Sequence, residues 1–126
     1  MDMNDLKIGD LLKLMACMNN KPSADTLDHK MTGKYVIVRC RGAGVHAGYL
    51  ESTNKTEAVL TNSRRLWYWK PANGQKWLSG VSQYGLDSSS KVGCVLPRAY
   101  LTEVCEILET SDQARISIIG VKTDGN

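Results

Sequence analysis

The residues best suited to chemistry stand together in the run Arg64–Lys70, which reads RRLWYWK. Two guanidinium groups, two indoles, one phenol and one ammonium group fall within this short segment. A guanidinium group presents a planar fork that matches phosphate, and an aromatic ring offers a flat face on which a nucleobase stacks. The composition of the run therefore favours a site for an anionic ligand that carries a base.

If this run is a β-strand, successive side chains point to opposite faces of the sheet. The two predicted faces then hold Arg65, Trp67 and Trp69 on one side, and Arg64, Leu66, Tyr68 and Lys70 on the other. Each face carries a permanent charge, so neither is expected to be plain core. A structural interpretation stays open, in which the tryptophans fill a core that lacks Phe and the arginines pair with Glu103, Glu106 or Glu109.

Positive charge is concentrated in the middle of the chain. Residues 30–76 carry nine Lys or Arg against two Glu, a net charge of +7, whereas residues 101–126 carry five acids against two bases, a net charge of −3. Such a basic centre attracts an anionic ligand, or it packs against the acidic C-terminal part within one chain or between subunits. The candidate ligand-binding residues are Arg39, Arg41, His46, Arg64, Arg65, Trp67, Tyr68, Trp69 and Lys70.

The sequence contains no recognisable catalytic or metal-binding motif. The four cysteines form no CxxC pair and neither histidine completes a zinc spacing, so we expect no metal, no cofactor and reduced, mostly buried thiols. The glycines of Arg41–Gly48 miss the GxGxxG spacing, and this segment is predicted to be a bulged hairpin turn, with a phosphate-cradling loop as the alternative. His46 has no carboxylate or nucleophile beside it in sequence, which favours a hydrogen-bonding role in the loop. We therefore predict a binding protein and not an enzyme.

The pattern of elements predicts one small α+β domain over residues 1–126. Its parts are an N-terminal helix over 10–18, a polar connection over 19–33, a sheet-based core over 34–116 and a tail over 117–126, with a frayed end over 121–126. The core is expected to be a strongly bent, mainly antiparallel sheet or barrel of about six strands, with two or three short helices against it.

Strands are predicted from β-branched and aromatic residues between turn-forming residues, over 34–40, 49–52, 57–60, 65–70 and 91–96, with an interruption at 61–63 and an end at Pro97. A helix is predicted over Lys76–Tyr84. The segment Leu101–Leu108 fits a strand or a helix, and its β-branched residues favour a strand. Another short helix is predicted from Thr110 or Ser111 to Ile116.

Hydropathy and the N-terminal residues indicate where the protein acts. No apolar run approaches the ~20 residues of a membrane span. The N-terminal MDMNDLK is acidic at its start and lacks the apolar region of a signal peptide. We therefore predict a cytoplasmic protein without a membrane partner.

Four segments together resemble a family of small phage-encoded proteins of unknown function: Lys34–Arg39 (KYVIVR), Ala43–Gly48 (AGVHAG), Val59–Trp69 (VLTNSRRLWYW) and Leu101–Ile107 (LTEVCEI). The resemblance covers roughly residues 33–116. It implies a phage or prophage accessory protein that acts in the cytoplasm of the bacterial host.

Small phage accessory proteins without catalytic motifs commonly act by binding. The basic, aromatic strand suits one that sequesters a nucleotide signal or otherwise antagonises host defence, as a homo-oligomer that encloses its ligand. The alternative is a protein-interaction or virion-associated structural module, in which the Trp/Arg strand contacts another subunit or a host protein.

Overall fold

The computed structural model describes residues 30–124, and Met31–Asn126 forms one compact unit. The elements in chain order are β1 (Tyr35–Cys40), β2 (Gly44–Asn54), β3 (Glu57–Tyr68), α1 (Leu78–Tyr84), β4 (Lys91–Val92), β5 (Leu96–Leu101), β6 (Val104–Glu109) and α2 (Asp112–Gly120). The predicted helix over 10–18 and most of the predicted connection over 19–33 lie outside the described residues.

The strands of residues 30–124 form one antiparallel sheet in the order β4-β3-β2-β1-β6. The fifth strand, β5, pairs with the first part of β3, while β4 pairs with its last part. Although β5 and β6 follow one another in sequence, they pair with β3 and β1 and not with each other, so the sheet stays open. The predicted α+β class and antiparallel sheet are therefore confirmed, whereas the barrel alternative is wrong.

Side chains of β1 alternate between two hydrophobic clusters on opposite faces of the sheet. Tyr35 and Ile37 belong to the helix-side cluster, which includes Leu78 and Val81 of α1 and Ile118 of α2. Three other β1 residues belong to the far-side cluster, whose buried members are Val36, Val38, Cys40, Leu50, Ala58, Leu60 and Leu101. Burial on both faces explains why the apolar run of β1 is continuous.

A β-bulge in β3 changes which residues face each cluster. Tyr49 pairs with Thr61 and Ala47 pairs with Arg64, so Asn62 and Ser63 together stand opposite the single residue between Ala47 and Tyr49. Asn62 has a left-handed backbone with φ of 52°, which Asn adopts more readily than most residues. The predicted interruption at 61–63 is therefore a bulge inside one long strand.

The bulge has a visible effect on the burial pattern. Leu60 lies in the far-side cluster, whereas Leu66 lies in the helix-side cluster. In an unbroken strand these two residues, an even number of positions apart, share a face. The extra residue reverses the alternation between them and therefore decides the orientation of Arg64 and Arg65.

Several predicted boundaries need correction. The second strand begins at Gly44, so His46 lies in a strand and not in the predicted loop. Pro97 lies inside β5 and does not end a strand, because β5 is an edge strand, where proline is tolerated. The segment predicted as strand or helix over 101–108 contains the last residue of β5 and most of β6, so the strand interpretation holds.

The C-terminal part is more ordered than predicted. Helix α2 continues past Ile116 to Gly120, and Ile118 is fully buried in the helix-side cluster, which favours the longer helix. Thr123 then pairs with Val92 of β4. The thiols also differ from the prediction, since Cys94 and Cys105 are exposed and only Cys40 is buried among the described cysteines.

Ser111 fixes the start of α2 against the end of α1. Its Oγ accepts a hydrogen bond from Ala114 N at 3.0 Å and donates one to Gln83 O at 2.7 Å. Its main-chain N–H donates to Ser82 O at 2.9 Å. This N-cap satisfies a free N–H of the first turn and joins the two helices on one face of the sheet. Within residues 30–124, no helix has the length and apolar character that crossing a membrane requires.

The bulge predicts the effect of Gly48→Ala. A Cβ at Gly48 would lie 2.8 Å from Thr61 O and 3.1 Å from Ser63 Cα, which are main-chain atoms that cannot rotate away. We expect a loss of about 1–3 kcal/mol in the free energy of unfolding, measured by urea denaturation. The matched control is Gly120→Ala, where a Cβ meets nothing within 4 Å. Equal stability of the two variants would contradict the packing described for the bulge.

Candidate functional site

The two adjacent arginines of RRLWYWK lie in opposite environments. Arg64 is buried, with 3% of its surface exposed. Its Nε donates to Gly93 O at 2.9 Å, and its Nη1 lies 3.0, 3.2 and 2.7 Å from the carbonyl oxygens of Ile118, Ile119 and Val121. A longer contact of 3.4 Å joins Nη2 to Thr123 Oγ1. The guanidinium group is thus occupied by main-chain acceptors.

These acceptors explain why a charged side chain is stable in the interior. The last carbonyls of a helix have no partner inside the helix, and they carry the negative end of its dipole. Helix α2 has no basic residue in its own last turn. Arg64 supplies the missing cation and donors from β3. Arg64, predicted as one of the ligand-binding residues, is therefore not available at the surface of β3, and its guanidinium group caps α2 instead.

Arg65 is exposed and lies over the start of β2. Its Nη2 is 3.3 Å from the place that a Cβ would take at Gly44, and Gly44 has a left-handed φ of 87°. Both the backbone angle and the close approach therefore favour glycine there. Within residues 30–124, no carboxylate lies within ion-pair distance of Arg65.

His46 stands directly opposite Arg65 in the β2–β3 pairing. Its Nε2 lies 3.0 Å from Ala43 O, so the proton sits on Nε2 and is donated to that carbonyl. Burial is the largest effect on His46 and lowers its pKa below the usual 6.5; the charge of Arg65 lowers it further, while the bond to Ala43 opposes both. Because the pKa of His46 is lowered, the imidazole is neutral, and the positive charge of this cross-strand pair comes from Arg65.

Trp67 completes the exposed group. It follows Arg65 on the same side of β3, and 55% of its surface is exposed. Arg41 lies in the adjoining β1–β2 turn, is exposed, and donates its main-chain N–H to Glu103 O at 2.9 Å. We call Arg41, His46, Arg65 and Trp67 the Arg65 surface. It combines guanidinium groups with an accessible indole face.

The remaining candidates lie elsewhere. Arg39 pairs with Glu106 of β6 at 3.5 Å. This ion pair agrees with the alternative in which the basic centre packs against the acidic C-terminal part of the chain. Trp69 is half-buried and packs against the helix-side cluster, so it does not share the face of Arg65 and Trp67 as predicted. Strand β3 ends at Tyr68, so Trp69 lies beyond the regular alternation of the strand.

Tyr68 and Lys70 belong to the β4 side of the molecule. Tyr68 pairs with Lys91 and is 47% exposed. Lys70 is exposed, its N–H donates to Ser90 Oγ at 3.0 Å, and its carbonyl accepts from Asp87 N at 2.7 Å. Hydrogen bonds from Ser89, assisted by the charge of Lys70, hold the pKa of Asp87 below its usual value. The structure thus brings together only part of the predicted ligand set.

Sequence reasoning missed a second polar feature, the phenol of Tyr35. Its hydroxyl is buried without a hydrogen-bond partner, and burial raises its pKa to about 12. The only sequence signal is a tyrosine at the head of an otherwise apolar central strand. Among the described residues, no group of three or more His, Cys, Asp or Glu side chains is placed to hold a metal ion.

Because Arg64 is buried and hydrogen-bonded whereas Arg65 is exposed, the substitutions Arg64→Met and Arg65→Met should differ in their effect on stability. We expect Arg64→Met to lower the free energy of unfolding by about 3 kcal/mol or more, because several buried carbonyls lose their donors at about 1–3 kcal/mol each. The same change at exposed Arg65 should cost within about 0.5 kcal/mol. Urea denaturation measures both. Equal losses would contradict the separate roles of the two side chains.

The lowered pKa of His46 predicts a dependence of stability on pH. The folded state binds a proton at His46 less readily than the unfolded state, whose pKa is about 6.5. The contribution of neutral His46 to the free energy of unfolding is therefore fully present above about pH 6.5. It is lost as the pH falls from there through the pKa of His46 in the folded state. The difference in unfolding free energy between wild type and His46→Gln should therefore shrink between pH 7.5 and 5. The second histidine, His29, is present in both proteins, so the comparison isolates His46; parallel profiles would contradict the prediction.

Comparison with known proteins gives a family and no activity. A family model described as "Domain of unknown function (DUF6948)" matches residues 33–118, which include all the described strands and most of α2. No curated protein and no solved structure matches the chain significantly. Because the matched segment covers well over half of the sequence, the chain belongs to the family described as Domain of unknown function (DUF6948).

Proposed function

We propose that the protein acts by binding, and that the Arg65 surface takes an anionic ligand that carries a base, such as a nucleotide or a short single-stranded nucleic acid. One observation carries the proposal: exposed Arg65, which has no carboxylate partner in residues 30–124, stands two positions before the exposed indole of Trp67 in β3. Arg65 supplies the phosphate contact and Trp67 the stacking face.

The geometry suits both parts of such a ligand. Residues two apart on a strand are separated by about 7 Å along its direction, so one nucleotide reaches both side chains. Stacking of a base on an aromatic ring contributes about 1–3 kcal/mol, and a charge-assisted bond from Arg adds phosphate affinity. Arg41 in the adjoining turn offers a second cation at the same end of the sheet.

Binding without chemistry agrees with the state of His46. Its Nε2 proton is donated to Ala43 O, and no described carboxylate is hydrogen-bonded to the imidazole. A general base needs an orienting partner and access to the proton that it removes. His46 instead supports the Arg65 surface as a neutral neighbour.

The proposed setting follows from the resemblance to small phage-encoded proteins. There, the protein is an accessory factor in the cytoplasm of the bacterial host, and it sequesters a nucleotide signal or otherwise antagonises host defence. Homo-oligomerisation would enclose the ligand between copies of the Arg65 surface.

A second function is favoured by the exposure of neighbouring rings. Trp67 and Tyr68 are consecutive and about half-exposed, and Trp, Tyr and Arg are the residues that most often anchor protein interfaces. In this alternative, the Arg65 surface is a contact with another subunit, a host protein or a virion component. Ligand binding and oligomeric state distinguish the two functions.

The test measures binding of a fluorescein-labelled single-stranded oligonucleotide and of a cyclic dinucleotide to the full-length protein. We expect Arg65→Met and Trp67→Leu each to weaken binding about tenfold or more, and higher salt to weaken wild-type binding. Fluorescence anisotropy gives the affinities, and urea denaturation checks the fold. The matched control is Arg98→Met, since exposed Arg98 is already paired with Glu51 at 2.9 Å and should bind like wild type.

Three outcomes decide against the proposed ligand class. Absence of binding to both probes, or equal affinities of the Arg65, Trp67 and Arg98 variants, would contradict it. If Trp67→Leu instead changes the oligomeric state in light scattering while neither probe binds, the interface function takes its place.

A further inference from the structure

We propose a second binding site, separate from the Arg65 surface, that takes a small carboxylate with an apolar body. The site is the cleft lined by Tyr35, Tyr49, Asn62, Arg64, Val95 and Ile119. Its volume is about 260 Å³, above the roughly 150 Å³ that admits benzene into a protein cavity. The walls are mainly apolar and the few polar groups converge, as is usual for small-molecule sites.

The first polar group is the phenol of Tyr35. The residue is 5% exposed, and its hydroxyl has no hydrogen-bond partner. Leaving such a group unpaired in the interior costs about 1–3 kcal/mol, so an unpaired buried hydroxyl needs an explanation. Burial raises its pKa to about 12, so it is a protonated donor at neutral pH. A ligand acceptor that enters the cleft would give this hydroxyl the hydrogen bond that it lacks.

The second polar group is the guanidinium of Arg64. Its hydrogen bonds go to carbonyls and one hydroxyl, and no described carboxylate neutralises its charge. The charges of Arg64 and Arg115 both act on the Tyr35 hydroxyl. Arg115 is paired with exposed Asp112 at 3.5 Å, whereas Arg64 keeps its net charge. A carboxylate in the cleft would accept from Tyr35 and offset the charge of Arg64.

The apolar walls of the cleft determine the part of the ligand other than its carboxylate. The rings of Tyr35 and Tyr49 meet edge to face, with centroids 5.0 Å apart and an angle of 79°. Val95 and Ile119 are each about half-exposed although both are apolar. A ring or branched chain that contacts them removes this surface from water. An aromatic or branched-chain monocarboxylate of single-ring size therefore fits both the walls and the polar groups.

The test uses the full-length protein and the probes benzoate and phenylacetate, with benzamide and benzyl alcohol as neutral analogues of similar size and inorganic phosphate as an anion without an apolar body. We expect the carboxylates to shift the side-chain NMR signals of Ile119 and Val95 and to bind more tightly than the other three probes. Tyr35→Phe should weaken carboxylate binding by about ten- to a hundredfold, the loss expected for one hydrogen bond to a charged group.

Matched variants distinguish the loss of the Tyr35 hydroxyl in the cleft from a general effect of replacing a tyrosine. Tyr35→Phe removes only an unpaired hydroxyl and should leave stability unchanged or higher, while Tyr100→Phe makes the same change at an exposed ring and should bind like wild type. Val95→Glu places a negative charge at the half-exposed edge of the cleft and should also weaken binding. Lack of carboxylate binding, equal binding of neutral analogues, or equal affinity of Tyr35→Phe and wild type would overturn the proposal. None of these results bears on oligonucleotide binding at the Arg65 surface.

Discussion

The structure depends on one buried cation, the guanidinium group of Arg64. It joins the middle of the sheet to the last carbonyls of α2, to Gly93 before β5 and to the segment that follows α2. A buried charge is tolerated only when its hydrogen-bonding groups are satisfied. The placement of α2, the path of residues 121–123 and the burial of Ile118 are therefore linked to a single side chain. The same charge lies in the wall of the Tyr35 cleft, so support of the fold and the proposed carboxylate site share it.

The bulge opposite Gly48 directs this cation inward. Without the extra residue, Arg64 would share the face of Leu60 and Arg65 would point towards the helices. With it, Arg65 and Trp67 are exposed, and Arg65 stands opposite His46. Two arginines of identical chemistry thus have different roles because of a local change in strand register. Arg64 stabilises the fold, whereas Arg65 is proposed to bind the ligand.

Sequence patterns predict local structure here better than they predict side-chain direction. KYVIVRC indicates β1 because its apolar residues suit a strand buried on both faces, and Ser111 indicates the start of α2 because its hydroxyl caps the first turn. The bulge depends on a residue of the neighbouring strand, Gly48. In the sequence its only local pattern is an Asn between Thr and Ser, and this pattern also fits a simple turn. The role of Arg64 depends on carbonyls more than fifty positions later, and such a contact has no local signal. The alternation rule therefore separates Arg64 from Arg65 but does not show which of them is buried, and it fails for Trp69, which lies beyond the end of β3.

We propose that the anionic ligand that carries a base meets Arg65 and not Arg64. The most direct measurement is a side-chain ¹H–¹⁵N NMR titration of the full-length protein with a single-stranded oligonucleotide, following the arginine Nε–H and tryptophan indole signals. The structure predicts a slowly exchanging Arg64 Nε–H, held by Gly93 O, that stays in place, while the Arg65 Nε–H and the Trp67 indole signal shift with saturation. A titration that moves the Arg64 signal and leaves Arg65 and Trp67 unchanged would contradict the account.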